Sequence, residues 1–239
     1  MMTMQDILKL TDPKNQNLPE ISADFSARKY DLVFVPVFEE TVKTAEKMFP
    51  ALKKLKLKGE KKESFDLVEG KQMLKVRGMG KKAEMNNRKV RRMFGQFYLG
   101  GEATKVKSIG MLCDELNWVY FAALGIHVAA LNPDIFKPKT KLEKAPEVAL
   151  ISPIFKVKAA QVKKEIERGI NMAEGKNLMR VLGATPPNSL DTETYAKVIE
   201  ALCKRWKVPC KNVPKKDLKK YELLNAVSEG SGHESRLMV

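Results

Sequence analysis

The chain offers few residues for chemistry, and they are scattered. Its two histidines, His127 and His233, and three cysteines, Cys113, Cys203 and Cys210, are its whole stock of imidazole and thiol groups. The cysteines form no C-x-x-C pair and their number is odd, which favours reduced thiols over disulfides or a zinc site. His127 stands in an apolar helical stretch with no second ligand one turn away, so it reads as a packed histidine. Asp114 and Glu115 read as a helix start, and His233-Glu234 as part of a flexible loop. No Ser/His/Asp or Cys/His set has a spacing that would join a nucleophile to a base. Gly78-Met79-Gly80-Lys81 falls between an expected strand and helix, where free N–H groups can cradle phosphate. It lacks the third glycine and downstream acid of a dinucleotide fingerprint and the G-K-[ST] of a P-loop, so chain reversal is the better reading. No residue is assigned a catalytic, cofactor-binding or metal-binding role.

Composition narrows the class. With 44% hydrophobic and 31% charged residues, the 239-residue chain has the make-up of a soluble globular protein. No apolar run approaches the ~20 residues of a membrane span. The N-terminus has neither a secretory nor an organelle-targeting pattern, which leaves a cytoplasmic location as the expectation. The formal charge of +15 is the one oddity. Its lysine and arginine clusters, such as Lys53, Lys54, Lys56 and Lys58, or Arg88, Arg91 and Arg92, could face nucleic acid or an acidic partner. Glu60, Glu63, Glu69 and Glu84 interrupt them and no nucleic-acid-binding signature accompanies them, so a solvated surface is favoured.

The elements that would position these residues alternate. Residues before Pro19 read as a loose leader, 20–25 as a short strand and 31–38 (DLVFVPVF) as a buried one, with Pro36 arguing for an edge or a bulge. Helical spacing follows over 41–56, kinked or divided at Pro50. A charged turn at 58–62 leads to a strand pair, 65–68 and 72–77, and then to a helix over 83–99. Another strand, 105–112, is expected to end at Asp114 as the cap of an apolar helix over 115–131. A basic loop, 137–144, and a last strand, 147–151 closed by Pro153, complete an α/β unit with a mixed sheet flanked by helices. A long helix then runs toward Arg180 with Val162, Ile166, Ile170 and Ala173 on its buried face.

Pro186 and Pro187 must stop that helix, because neither carries an N–H and the first pushes Thr185 out of the α region. Asp191 is placed to cap the next helix, whose apolar stripe is Tyr195, Ile199, Leu202 and Trp206. Beyond it, 207–213 reads as a strand, 215–221 as a short helix, and 223–227 as the approach to a glycine-rich loop.

This junction carries a resemblance. Arg180, Leu182, Pro186, Pro187, Asn188, Leu190, Glu193 and Ala196 resemble the opening of the catalytic domain of leucyl aminopeptidases. Val227, Gly230, Ser231, Glu234, Arg236 and Leu237 resemble the glycine-rich loop leading to the first strand of that domain's sheet. Val181 and Ala184 stand where the family usually has Asp and Asn. The resemblance implies a macro-domain-like sheet over 1–155, a linker helix over 156–184 and the start of a catalytic domain over 185–239. It also implies a cytosolic hexamer acting on peptides with two divalent metal ions, zinc or manganese. The family's ligand motifs, G-K-G-x-x-x-D-x-G-G and N-T-D-A-E-G-R, do not occur in the sequence, so no metal is expected on this chain and it should be inactive alone. A non-catalytic binding or structural paralogue, touching nucleic acid through the lysine surface, is the alternative.

Overall fold

The computed structural model describes residues 2–24, 30–100, 105–131, 144–152 and 158–239. They form two compact units. One is built from described residues between 17 and 176, the other from 2–16 and 177–239.

The first unit is organised on β2 (Leu32–Phe38), whose seven residues are all buried. A strand apolar on both faces must lie inside a sheet covered on both sides. The sheet has six strands in the order β1 (Ile21–Asp24), β6 (Glu147–Ile151), β5 (Ser108–Leu112), β2, β4 (Gln72–Gly80) and β3 (Ser64–Glu69). All neighbours are parallel except β3 and β4, which form an antiparallel hairpin. This is the α/β, mixed-sheet class expected from the alternation of elements.

Pro36 does not mark an edge. Glu39 N–H donates to Gly80 O of β4, while Phe38 N–H turns to Thr41 Oγ1, so even-numbered residues direct their N–H away from β4. On that side β2 pairs with β5 only over Leu32–Phe34. Proline at position 36 therefore sacrifices no ladder bond, and the expected irregularity appears next to it, between Val37 and Phe38.

Alternation sends the two sets of β2 side chains to different cores. Val33, Val35 and Val37 pack with Ala45 of α2 (Val42–Met48) and with Phe49 and Leu52. Pro50 divides that segment, as expected, into α2 and a 3₁₀ stretch, Pro50–Leu55. Leu32, Phe34 and Phe38 face α3 (Asn87–Leu99), α4 (Leu116–Ala130) and the first turns of α5 (Ala159–Ala184). Helix α3 starts where the Asn86 side chain accepts Lys89 N–H at 3.0 Å. Helices α3 and α4 touch through glycines: a Cβ on Gly95 would lie 2.8 Å from Gly125 O, and one on Gly125 would lie 2.2 Å from Arg91 O. The expected cap of α4 is corrected. Glu115 occupies the N-cap position without a side-chain bond, because the Asp114 carboxylate is taken by Lys82.

In the second unit, the leader expected before Pro19 is a helix, α1 (Met4–Leu10). It opens with a capping box in which Thr3 N–H donates to Asp6 Oδ2 at 2.8 Å and Asp6 N–H to Thr3 Oγ1 at 3.2 Å. Ile7 is fully buried with Leu182, Val198 and Leu202, which is why this segment groups with 177–239 rather than with the sheet. Helix α5 stops at Ala184, before the prolines, and Asp191 caps α6 (Thr192–Trp206) by accepting Thr194 N–H at 2.7 Å. The buried stripe of α6 is Ala196, Val198 and Leu202, while Tyr195 and Trp206 are exposed. The strand expected over 207–213 is absent. Lys207 adopts a left-handed cap (φ 55°) and Val208 N–H closes on Cys203 O at 2.9 Å, a helix-ending turn. Extended pairing is confined to 211–213, which meet 237–239 about the antiparallel bridge of Asn212 with Met238: Lys211 and Val239 exchange N–H···O bonds and Val213 N–H donates to Leu237 O at 2.8 Å. Short helices α7 (Lys215–Leu218) and α8 (Glu222–Ser228) fill the interval. Pro153, expected to close the last strand, and most of the expected basic loop 137–144 lie outside the described residues, as do Asn132 and Pro133, which the sequence places at the end of the apolar helix.

Candidate functional site

The residues singled out by type do not converge. Among the described residues no group of three or more His, Cys, Asp or Glu is placed to hold a metal ion. Burial lowers the His127 pKa to about 4, against the opposing effect of its bond to the Pro19 carbonyl. Glu234 ion-pairs with Lys215 at 2.6 Å rather than with its neighbour His233. Burial, aided by the charge of Asp114, pushes the Cys113 thiol far above its ordinary range and makes it inert. Cys203 and Cys210 are half-buried at the end of α6, where burial and the neighbouring Cys203 raise the Cys210 pKa.

The glycines of 78–81 serve packing. Both lie in β4 rather than in a phosphate-cradling turn. A Cβ on Gly78 would meet Glu60 O at 1.9 Å, and Gly80 has φ of 78°, a conformation that side chains resist. Behind them the Glu63 carboxylate accepts N–H groups of Lys58, Gly59 and Glu60 at 2.7–3.2 Å, which fixes the charged turn.

In open α/β sheets, ligands settle beyond the carboxyl ends of strands whose connections leave to opposite faces. Here those strands are β2, followed by α2 on one face, and β5, followed by α4 on the other. Lys82 fills that crevice. Its ammonium bonds Asp114 Oδ2 at 3.0 Å and Glu115 Oε1 at 2.6 Å and lies 5.3 Å from the Trp118 ring, while its N–H meets the Glu40 carboxylate at 3.0 Å. Burial disfavours the ammonium, but the bonds to Glu115 and Asp114 prevail and raise its pKa. The position most favourable for a ligand therefore holds an internal ion pair.

A second concavity is open. A groove of about 670 Å³ runs between α3 and the face of β4 that turns toward it. Phe34 and Phe97, stacked at 4.2 Å between centroids, form its base with Met79, Met85 and Met93. Lys61, Arg77, Lys89 and Arg92 stand around it with Glu63 and Glu84. Sequence reading missed this groove. The available signal was the spacing of Lys89, Arg92, Met93, Gln96 and Phe97 on one side of α3, but nothing in the chain forecast an uncovered hairpin opposite it.

No protein-family model matches the chain, and no curated protein matches it by sequence. Solved structures do match by shape. A mutant of tomato leucine aminopeptidase superimposes with a TM-score of 0.73 at 11% identity, covering 92% of this chain and 50% of that one. The bottromycin maturation enzyme BotP, in its complex with Mn, gives 0.66 at 15% identity, covering 87% and 44%. A second BotP structure gives 0.64 at 13%, covering 87% and 45%. The chain thus spans about half the length of the structures it matches, and at these identities the likeness establishes a fold: it has the α/β architecture of leucine-aminopeptidase-like proteins.

Proposed function

We propose that this chain is the N-terminal portion of a cytosolic leucyl aminopeptidase, with the metal-binding machinery supplied by sequence beyond it. The observation that carries the reading is the pattern of coverage: nearly the whole chain lies on half of an aminopeptidase. The motif from Arg180 to Ala196 supports it, since the helix stop before the prolines and the Asp191 cap are the local elements that motif calls for. Exposed apolar residues of the second unit point the same way. Leu223 is 86% and Val227 85% exposed, a turn apart on α8, as expected of a helix whose cover is another part of its own domain.

On this reading 1–155 holds the macro-like sheet, with 2–16 packing instead with 177–239, 156–184 is a linker helix and 185–239 opens the catalytic domain. The portion described here would serve assembly, as a homo-hexamer in the family, and access of peptides to a site carrying two zinc or manganese ions. Two-metal hydrolysis needs carboxylates that bridge the cations and lower the pKa of a bound water. Among the described residues no such set exists.

Sequencing the full transcript tests the proposal. The expected result is a reading frame that continues past Val239 into a lysine- and carboxylate-bearing ligand set. A stop codon there would overturn it and leave the alternative, a non-catalytic binding or structural paralogue whose lysine surface meets nucleic acid.

A further inference from the structure

We propose that the groove between α3 and β4 is a docking site for an acidic, amphipathic peptide segment of a partner protein. The α3 wall presents Lys89 and Arg92 three residues apart, hence on one side of the helix. The opposite wall presents Arg77 from β4, with Lys61 at the mouth. Four cations and two carboxylates line the groove, but Arg77 is paired with Asp66 at 2.8 Å, so the positive charge left for a ligand lies on the α3 wall.

Both carboxylates are already engaged. Glu63 is held by three backbone N–H groups and Glu84 pairs with Lys61. Arg92, by contrast, is exposed and makes no ion pair with a described residue. Lys89 donates to the Glu84 carbonyl at 2.7 Å, a neutral acceptor, and its charge reaches the Glu84 carboxylate only through space, behind that of Lys61.

The base is apolar and adaptable. Three methionines beside a stacked aromatic pair form the kind of surface that moulds to aliphatic side chains. The groove is partly open to solvent, whereas small-molecule sites enclose most of their ligand. Two features disfavour a nucleotide. The Asn86 side chain already caps the start of α3, and the two cations of the α3 wall, Lys89 and Arg92, suit one or two carboxylates better than a polyphosphate. The fitting occupant is a short segment with leucine-like residues one helical turn apart and glutamates beside them.

Methyl-labelled methionine gives a direct test. The chain has 12 methionines, and Met79, Met85 and Met93 report on the groove, while Met48 and Met111, packed in the two cores, report on fold integrity. The probe is a synthetic ~12-residue amphipathic peptide with Leu at i and i+4 and Glu on its flank. The expected result is saturable shifts at the three groove methyls alone, weakened by salt. Replacing Lys89 and Arg92 together by Glu should weaken binding at least about tenfold and admit a lysine version of the peptide, with the Met48 and Met111 signals unmoved. Three results would each overturn the proposal: absence of shifts, equal binding by the lysine peptide to the unaltered chain, or a response to ATP and not to the peptide.

Discussion

His127 shows how a residue that looks chemical becomes structural. It sits on α4 at 5% exposure, and its folded pKa of about 4 lies below the ordinary 6.5. The sign follows from linkage. Above the unfolded pKa both states hold the neutral ring and His127 contributes no pH dependence. As pH falls from about 6.5 toward 4, the unfolded chain binds the proton first and the fold loses stability. Between about pH 7 and about pH 5 that loss should approach about 2 kcal/mol. His127→Gln should therefore show a flatter change in urea midpoint over this interval than the unaltered chain. A variant whose midpoint falls as steeply would show that other groups govern the pH response. Lys82 teaches the same lesson with opposite chemistry, because two carboxylates and a ring hold its ammonium, and a third carboxylate its backbone N–H, where a ligand would otherwise fit.

At the scale of elements, the crossing of α3 and α4 fixes the face of the sheet that carries the groove. Its closeness depends on Gly125, whose missing side chain leaves room for Arg91 O. Gly125→Ala should cost about 2–3 kcal/mol, since the obstructing atom belongs to the backbone and cannot swing aside. Chemical denaturation measures this directly, and a loss below about 0.5 kcal/mol would mean that the helices separate freely. Strands, helix breaks and the Asp191 cap were legible in the sequence because periodicity, proline and capping chemistry act locally. Pro36 announced a bulge, which is present, but not its interior place, because the strand beside it ends before residue 36, which is a tertiary fact. Of the expected α6 stripe, Leu202 and Ile199 pack in the core while Tyr195 and Trp206 are exposed, because they share the helical period of Leu202 but the buried face is turned toward Val198. The leader was misread because a short helix with few apolar residues gains its stability from partners such as Leu182 and Val198, remote in sequence. The groove was invisible because it arises from an uncovered hairpin, not from any motif.

At the scale of the molecule, the chain shares its fold with leucine-aminopeptidase-like proteins across about half of their length. Among the described residues no helix is long and apolar enough to cross a membrane. The +15 charge is spread over both units, and on the sheet unit part of it gathers at the groove, where it suits an acidic partner. The central claim is a division of labour in which this portion positions and assembles while residues beyond it hold the metals. The most direct measurement compares leucine release from leucyl peptides, with manganese or zinc supplied, by this 239-residue chain and by the product of the complete reading frame. The account predicts chelator-sensitive turnover from the complete product and none from the chain alone. Turnover by the chain alone, or inertness of the complete product, would contradict it.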